Sequence, residues 1–308
     1  MQDRPALPSW QLFVIAVAIW STTWHAILYQ LAHAAPEAGV ALRFALAGVL
    51  GLGVAAWRRD RVRCSGAEHA RIAVQGVFMY SLSYICVYHA EVHVPTGLVA
   101  VGYSASPLVN GIGAWALWRS PLTPRFLLGG LLCIAGVAMI FAPEFAAVKA
   151  GGATLLGALF TLAAVALSAA GSLQASRNAT HRLPFWSTLG WGMLYGALVS
   201  GAMALANGQS LFPAAALAAP SWWLSLAYLS VAGSVVAFAC YLKLQERVGP
   251  GAASTVGVMT PVLALAVSAL FEDFRAVPLT WVGCAMAVLG NAMILQPSFR
   301  SAAVRARQ

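Results

Sequence analysis

Ten long apolar runs follow one another along the chain, at roughly residues 10–31, 36–57, 71–90, 95–118, 124–142, 153–175, 184–206, 221–242, 250–271 and 278–296. Within each run the apolar positions are continuous rather than alternating. That is the pattern of a helix surrounded by apolar material, not of a half-buried strand. A helix needs about 20 such residues to cross a bilayer core, whereas the strands of a membrane barrel need only about 10, with alternating character. The runs therefore predict an all-α integral membrane protein with ten transmembrane helices. The links are short and leave no room for a soluble domain. The least distinct boundary separates the third and fourth runs, where His89, Glu91 and His93 mark the link. The first run is long enough to span, and no small-residue cleavage site stands out at its end, so it reads as a span and not as a cleaved signal.

The pattern repeats. Residues 94–109 read VPTGLVAVGYSASPLV and residues 248–263 read VGPGAASTVGVMTPVL. At an offset of 154, Val94 falls on Val248, Gly97 on Gly251 and Pro107 on Pro261. Pro124, Gly129 and Gly136 then fall on Pro278, Gly283 and Gly290, and AMI at 138–140 falls on AMI at 292–294, with no gap. The chain reads as two units, residues 1–147 and 148–308, with five runs in each. Five is odd, so the second unit starts on the opposite side of the membrane, and the two are inverted five-helix repeats. Pro107 and Pro261 lie inside apolar runs, where proline removes a backbone hydrogen bond and clashes with the preceding turn. In a bilayer the freed carbonyl needs another donor, and Ser104, Ser106 and Thr260 stand beside the prolines. Paired interrupted segments in two inverted halves point to a transporter's substrate site, with Pro107 and Pro261 as hinges. A kink that only shapes the bundle is the alternative.

Composition and charge sharpen this picture. The chain is 60% hydrophobic and 9% charged, against about 25% charged for a soluble domain. With the N-terminus inside, fifteen of the eighteen Lys and Arg fall on the links near 60, 120, 180 and 245 and on the termini. Lys149 and Arg275 fall on the outer links, and Arg43 lies within the second run. That asymmetry is the positive-inside pattern of a cell inner membrane protein with both termini cytoplasmic. The net charge of +9 therefore faces anionic membrane lipid and is not read as a nucleic-acid footprint. The five cysteines form no C-x-x-C and read as small packing residues. None of the nine acidic residues falls in mid-run. Exchange of a proton for a cationic drug commonly uses a membrane-embedded carboxylate, so the expected substrate is neutral or zwitterionic. His25 is then the candidate for a buried proton carrier near neutral pH.

Polar and aromatic residues inside the runs fall into stripes. Tyr80, Tyr84 and Tyr88 recur every fourth residue, and Tyr103, Ser106 and Asn110 follow i, i+3, i+7 spacing. Trp20 pairs with Trp24, Ser21 with His25, and Ser168 with Ser172, while Ser230, Ser234 and Tyr241 share a face. Several lie at similar depth, and a cavity could gather Trp20, Trp24, His25, Arg43, Tyr80, Tyr84, Tyr103 and Ser106 as the substrate-binding set. Aromatic walls with a few polar groups suit an amphipathic organic molecule, and Arg43 could pair with a carboxylate. The alternative for Arg43 and His25 is a structural bond between helices. Trp10, Trp57, Trp118, Trp222 and Trp223 read as interface anchors.

Other motifs carry less. His89 and His93 lie four apart without the H-E-x-x-H order or a third ligand, so no metal is expected. Gly102 to Ser106 only partly resembles a serine-nucleophile turn, and Asn178-Ala-Thr180 is a glycosylation triplet on a predicted cytoplasmic link. No Walker-type glycine loop exists, and no cofactor is expected.

WSTTW at 20–24, the Pro36 to Phe44 segment ending in Arg-Phe, and the twin Gly…[Ser/Thr]-Pro segments opening the fourth and ninth runs resemble the drug/metabolite transporter superfamily in its ten-helix form with two EamA-type repeats. By overall resemblance the chain is most similar to the aromatic amino-acid exporters (YddG-like). The resemblance implies an inner-membrane exporter of aromatic and other hydrophobic amino acids, working by alternating access. Arg43 belongs to the motif that the whole superfamily shares, which favours a structural role for it over substrate selection. A carrier of another neutral metabolite or drug on the same fold is the first alternative, and an intramembrane enzyme is the alternative of a different class. Energy coupling and oligomeric state are open at this level.

Overall fold

The computed structural model describes residues 7–94, 96–142, 151–271 and 277–305. Lys149, Arg275, Arg4 and Arg307, and the boundary between residues 147 and 148, lie outside the described residues. Helices dominate: α1 (Ser9–Leu31), α2 (Pro36–Trp57), α3 (Gly66–His93), α4 (Thr96–Tyr103), α5 (Ser106–Trp118), α6 (Pro124–Ile140), α7 (Gly152–Thr180), α8 (Phe185–Ala206), α9 (Ala214–Leu217), α10 (Pro220–Val248), α11 (Pro250–Ala253), α12 (Thr255–Phe271) and α13 (Pro278–Arg305). Proline stands in the first turn of many of these (α2, α6, α10 and α11 among them), where its missing N–H is no loss and its fixed φ suits the helix. A capping box starts α3: the Ser65 hydroxyl accepts from the Glu68 amide at 3.3 Å, and the Ser65 amide donates to the Glu68 carboxylate at 2.7 Å.

Among the described residues seven helices are long and apolar enough to cross a membrane, namely α1, α2, α3, α7, α8, α10 and α13 over its Pro278–Leu295 part. The other three predicted runs behave differently. Residues 96–118 break at Ser104 and Ala105, α6 has 17 residues, and residues 250–271 break at Ser254. The twin prolines therefore do not do the same thing. Pro107 sits in the first turn of α5, just past a break, whereas Pro261 lies inside a continuous α12. The second break comes earlier because the short α11 ends at Ser254, whose hydroxyl binds the carbonyls of Pro250 and Gly251.

The third run also extends further than expected. Its helix continues through His89, Glu91 and His93, which the sequence pattern assigned to a link. Nothing stops it until Pro95, which forces Val94 into an extended conformation (φ −139°, ψ 153°). Both α3 and α10 carry a π-helical stretch, at Val77–Leu82 and Leu229–Val236. Such stretches leave carbonyls without their usual partner and often accompany functional sites.

Helix α2 packs on α8, α6 on α13, α3 on α7, and α1 on α10 and α12. The α6–α13 contact is built on glycine. A methyl group on Gly136 would lie 2.6 Å from the Gly283 carbonyl oxygen, and one on Gly290 would lie 2.5 Å from that of Gly129. The contacts are reciprocal at the 154-residue offset, since Gly129 and Gly136 are the partners of Gly283 and Gly290 in the repeat. Between them Cys133 Sγ donates to the carbonyl of Ala287, its own counterpart, at 3.7 Å. Rising numbers on α6 meet falling numbers on α13, so the pair is antiparallel. Large exposed side chains such as Leu128, Leu159, Leu162, Leu198 and Leu224 face outward from the bundle, as lipid contact requires. Trp10, Trp57, Trp118 and Trp223 are exposed too. Trp222 is not: it is fully buried against Ala34, Ala216 and Leu226, because adjacent helical residues point in different directions and Trp223 takes the outward one.

Candidate functional site

Helices α1, α3, α4, α5, α7, α10 and α12 surround a cavity of about 100 Å³. Its wall is aromatic: Trp20 and Trp24 from α1, Tyr84 from α3, Tyr103 from α4, and Phe238 and Tyr241 from α10. Ile27, Met79 and Val87 fill in between, and Ser106, Asn110, Ser168, Ser254 and Thr260 supply polar points. Among the described residues, none that lines it is an Asp, Glu, Lys, Arg or His.

The rings pack edge to face, as aromatic quadrupoles prefer. Phe238 is the hub, with ring centroids 5.1 Å from Trp20, 4.9 Å from Tyr80 and 6.1 Å from Tyr84. Tyr103 stands edge-on to Trp24 at 6.4 Å. The Trp20 indole N–H donates to the Gly233 carbonyl at 3.0 Å, within the π-helical stretch of α10, which holds the ring against the wall.

Five of the eight residues expected at the site line this cavity: Trp20, Trp24, Tyr84, Tyr103 and Ser106. The other three do not. His25 is exposed on the bundle surface, one helical step around from Trp24. Tyr80 is fully buried behind the wall, packed on Phe44 and Phe238, and its hydroxyl accepts from Gln75 Nε2 at 3.4 Å. Arg43 is 1% exposed and ties α2 to α10. Its Nε donates to Ser234 Oγ at 2.9 Å and its Nη2 to the Gly233 carbonyl at 3.4 Å, with the guanidinium 4.7 Å from the centroid of the Tyr84 ring. Ser230 Oγ returns a bond to the Arg43 carbonyl at 3.0 Å. Arg43 thus supports a wall residue from behind.

Phe238 was not anticipated, nor was Tyr241 named for the site. The signal was present: Ser234, Phe238, Tyr241 and Gln245 follow i, i+4, i+7, i+11 spacing on one face. From Tyr241 a polar chain leads away from the cavity between α7, α10 and α3. Ser172 Oγ and Tyr241 Oη lie 3.2 Å apart, Ser172 Oγ donates to Gln245 Oε1 at 2.8 Å, and Gln245 Nε2 donates to Ser176 Oγ at 2.8 Å. Asn178 Nδ2 donates to Gln75 Oε1 at 2.8 Å. Asn178 is 1% exposed, so its glycosylation triplet is out of reach in the folded chain.

Two of the hydroxyls beside the prolines bond elsewhere. Ser104 Oγ donates to the Val101 carbonyl at 2.6 Å and Thr260 Oγ1 to that of Val256 at 2.9 Å. His89 Nε2 lies 2.9 Å from a Glu37 carboxylate oxygen and the ring stacks on Phe160 at 5.1 Å, so it joins helix ends. Among the described residues no group of three or more His, Cys, Asp or Glu could hold a metal ion. Glu91 lies in the last turn of α3, and neither of its buried carboxylate oxygens has a hydrogen-bond partner.

Known proteins bear on this arrangement. The family model described as EamA-like transporter family matches the chain twice, over residues 8–142 and 155–296. An "Uncharacterized transporter" of Archaeoglobus fulgidus (strain ATCC 49558 / DSM 4304 / JCM 9628 / NBRC 100126 / VC-16) is 24% identical over 140 residues, 46% of this chain. That match spans only 50% of the relative's own length. A solved crystal structure superposes with a TM-score of 0.77 over 95% of this chain and 98% of its own, at 19% identity, and so shares the fold. Two family matches that together cover most of a chain whose described residues form seven helices long and apolar enough to cross a membrane lead to one assignment: this multi-pass membrane protein belongs to the EamA-like transporter family.

Proposed function

We propose that this chain exports small amphipathic metabolites, above all aromatic and other hydrophobic amino acids, across the cell inner membrane. The observation that carries this reading is the cavity: six aromatic rings, a few hydroxyl and amide groups, and no charged side chain among the described residues of its lining. Such a wall suits a molecule with an apolar ring and a neutral overall charge. A panel of amino acids tested by counterflow in proteoliposomes decides it. Tryptophan, phenylalanine and tyrosine should exchange, and glutamate and lysine should not. Equal exchange of all five would remove the aromatic reading.

The working architecture is ten spans in two inverted five-helix halves, residues 1–147 and 148–308, moving by alternating access. Three observations favour it. The bounds of α3, raised by 154, give 220–247 against Pro220–Val248 for α10. The π-helical stretches fall at matching places. The α6–α13 contacts are reciprocal about Cys133 and Ala287. Breaks at residues 104–105 and 254, with Pro107 and Pro261 nearby, provide the hinges. Both termini and the links near 60, 120, 180 and 245 are cytoplasmic in this arrangement, since that places the basic residues inside. Cysteines introduced at 60 and 180 should stay unlabelled by an impermeant maleimide in intact cells; strong labelling would reverse the orientation.

Transport in this scheme is driven by the substrate gradient. Among the described residues the cavity lining holds no carboxylate or histidine to carry a proton, and His25 is exposed on the bundle surface. Vesicles loaded with substrate and held without a pH difference or a membrane potential should still empty. Accumulation of substrate against its gradient on imposing a pH step would overturn the facilitated scheme. Glu91, with its unpartnered buried carboxylate, would then be the residue to replace first.

A further inference from the structure

Proline at 107 and at 261 removes the N–H that a continuing helix would offer to the carbonyl four residues earlier. Those carbonyls belong to Tyr103 and Gly257, and both residues line the cavity. Tyr103 is also the last residue of α4, so no further turn of that helix can supply a donor. Two of the hydroxyls beside the prolines do not compensate, since Ser104 and Thr260 bond to Val101 and Val256. The two backbones adjoin: a methyl group on Gly257 would lie 3.9 Å from the Tyr103 carbonyl oxygen. A third acceptor lines the same cavity. Asn110 is 3% exposed, its Nδ2 donates to the Ser106 carbonyl at 3.0 Å, and its Oδ1 has no partner. That bond identifies which end of the amide is the acceptor.

We propose that the carbonyl oxygens of Tyr103 and Gly257, together with Asn110 Oδ1, form the subsite that receives the substrate's ammonium group. This rests on the amino-acid reading above and deepens it. An ammonium carries three N–H donors and no acceptor, so it needs acceptors from the wall. The described residues of the lining include no carboxylate, and main-chain carbonyls of interrupted helices are the acceptors that a membrane-embedded site can offer without a buried charge. Neutral acceptors also let the group leave, which a transporter requires and a tight ion pair hinders. A bare monovalent metal ion would use the same oxygens, so the test separates the two ligands.

Three compounds of one shape serve as probes: phenylalanine, phenethylamine (no carboxylate) and 3-phenylpropionate (no ammonium). Their affinities are measured by competition in proteoliposomes, with sodium or with N-methylglucamine as the bulk cation. The variants are Asn110→Leu, which removes Oδ1, and Pro261→Ala, which returns an N–H to the Gly257 carbonyl. Each should weaken phenylalanine and phenethylamine about tenfold, the worth of one hydrogen bond to a charged group. Each should leave 3-phenylpropionate within about twofold. Retained 3-phenylpropionate affinity also demonstrates that the variant is folded. If Pro261→Ala does not fold, Asn110→Leu and Pro107→Ala carry the comparison. Equal weakening of all three probes would overturn the subsite, as would 3-phenylpropionate affinity that depends on sodium. Wild-type protein that binds phenethylamine but not phenylalanine would overturn the amino-acid reading while leaving the ammonium subsite supported.

Discussion

Replacing Tyr103 with alanine should raise the KM for an aromatic substrate about tenfold and leave the folded protein intact, whereas replacing Tyr80 should do the reverse. Tyr103 lines the cavity beside the break between α4 and α5, edge-on to Trp24 at 6.4 Å. Its ring offers a bound aromatic molecule an edge-to-face contact of about 0.5–1.5 kcal/mol besides its share of buried area, and together these approach a factor of ten. Tyr80 belongs to the same stripe by sequence but is fully buried behind the wall, 5.4 Å from Phe44 and 4.9 Å from Phe238. Removing a large core ring from a soluble protein costs about 3–5 kcal/mol. In lipid the share that comes from transfer out of water is missing, which leaves on the order of 2 kcal/mol from lost packing. Thermal unfolding in detergent and initial rates in proteoliposomes, measured on both variants, separate the two roles. A Tyr103→Ala protein with wild-type KM would remove this ring from the binding wall, and a Tyr80→Ala protein with a wild-type melting temperature would refute the packing role.

The second large effect is expected at the α6–α13 contact. Gly136→Ala places a methyl group 2.6 Å from the Gly283 carbonyl oxygen and from the Ala287 nitrogen. These are main-chain atoms that cannot rotate away, so the helices must separate. Helix association in a bilayer has no hydrophobic drive and depends on such close approach. Gly136→Ala and Gly283→Ala should each lower stability by about 1–3 kcal/mol, the range for overpacking a tight interior. Because the contact is reciprocal, the two changes should be similar in size and markedly non-additive when combined, since one separation relieves both clashes. Gly53, inside α2 with no atom within 4 Å of an added methyl group, is the control and should tolerate alanine. Full stability of Gly136→Ala would mean that α6 and α13 pack more loosely than the structure shows.

Much of the fold was legible in the sequence. Continuous apolar runs identified the helices, because a bilayer demands internal backbone bonding and a set length. The same periodicity marked Trp20 and Trp24, and Tyr103 with Ser106, as shared faces, and those four do line the cavity. It failed where a stripe had to be assigned to an environment. Tyr80 and Tyr84 share a stripe, yet only Tyr84 reaches the cavity. Spacing tells which residues lie on one side of a helix, and the turn of the π-helical stretch between Val77 and Leu82 then rotates the register. Trp222 and His25 were misassigned for a related reason. Lipid and protein interior are both apolar, so hydrophobicity does not say which side of a membrane helix faces which.

The sequence by itself determined that this is a helical membrane protein, that its halves correspond at an offset of 154, and which residue types are available for a site. Each of these depends only on local composition, spacing and backbone chemistry. Tertiary structure alone decided that Phe238 is the hub of the wall, that Arg43 is held by Ser234 and Gly233 behind it, and that Gly136 meets Gly283 while Gly129 meets Gly290. It also decided that Gly257, four residues before Pro261, comes to lie against the carbonyl of Tyr103, four residues before Pro107. Those facts depend on how helices distant in sequence rotate and approach one another, and that is set by side-chain volume and close backbone contact between elements, which no pattern along a single helix contains.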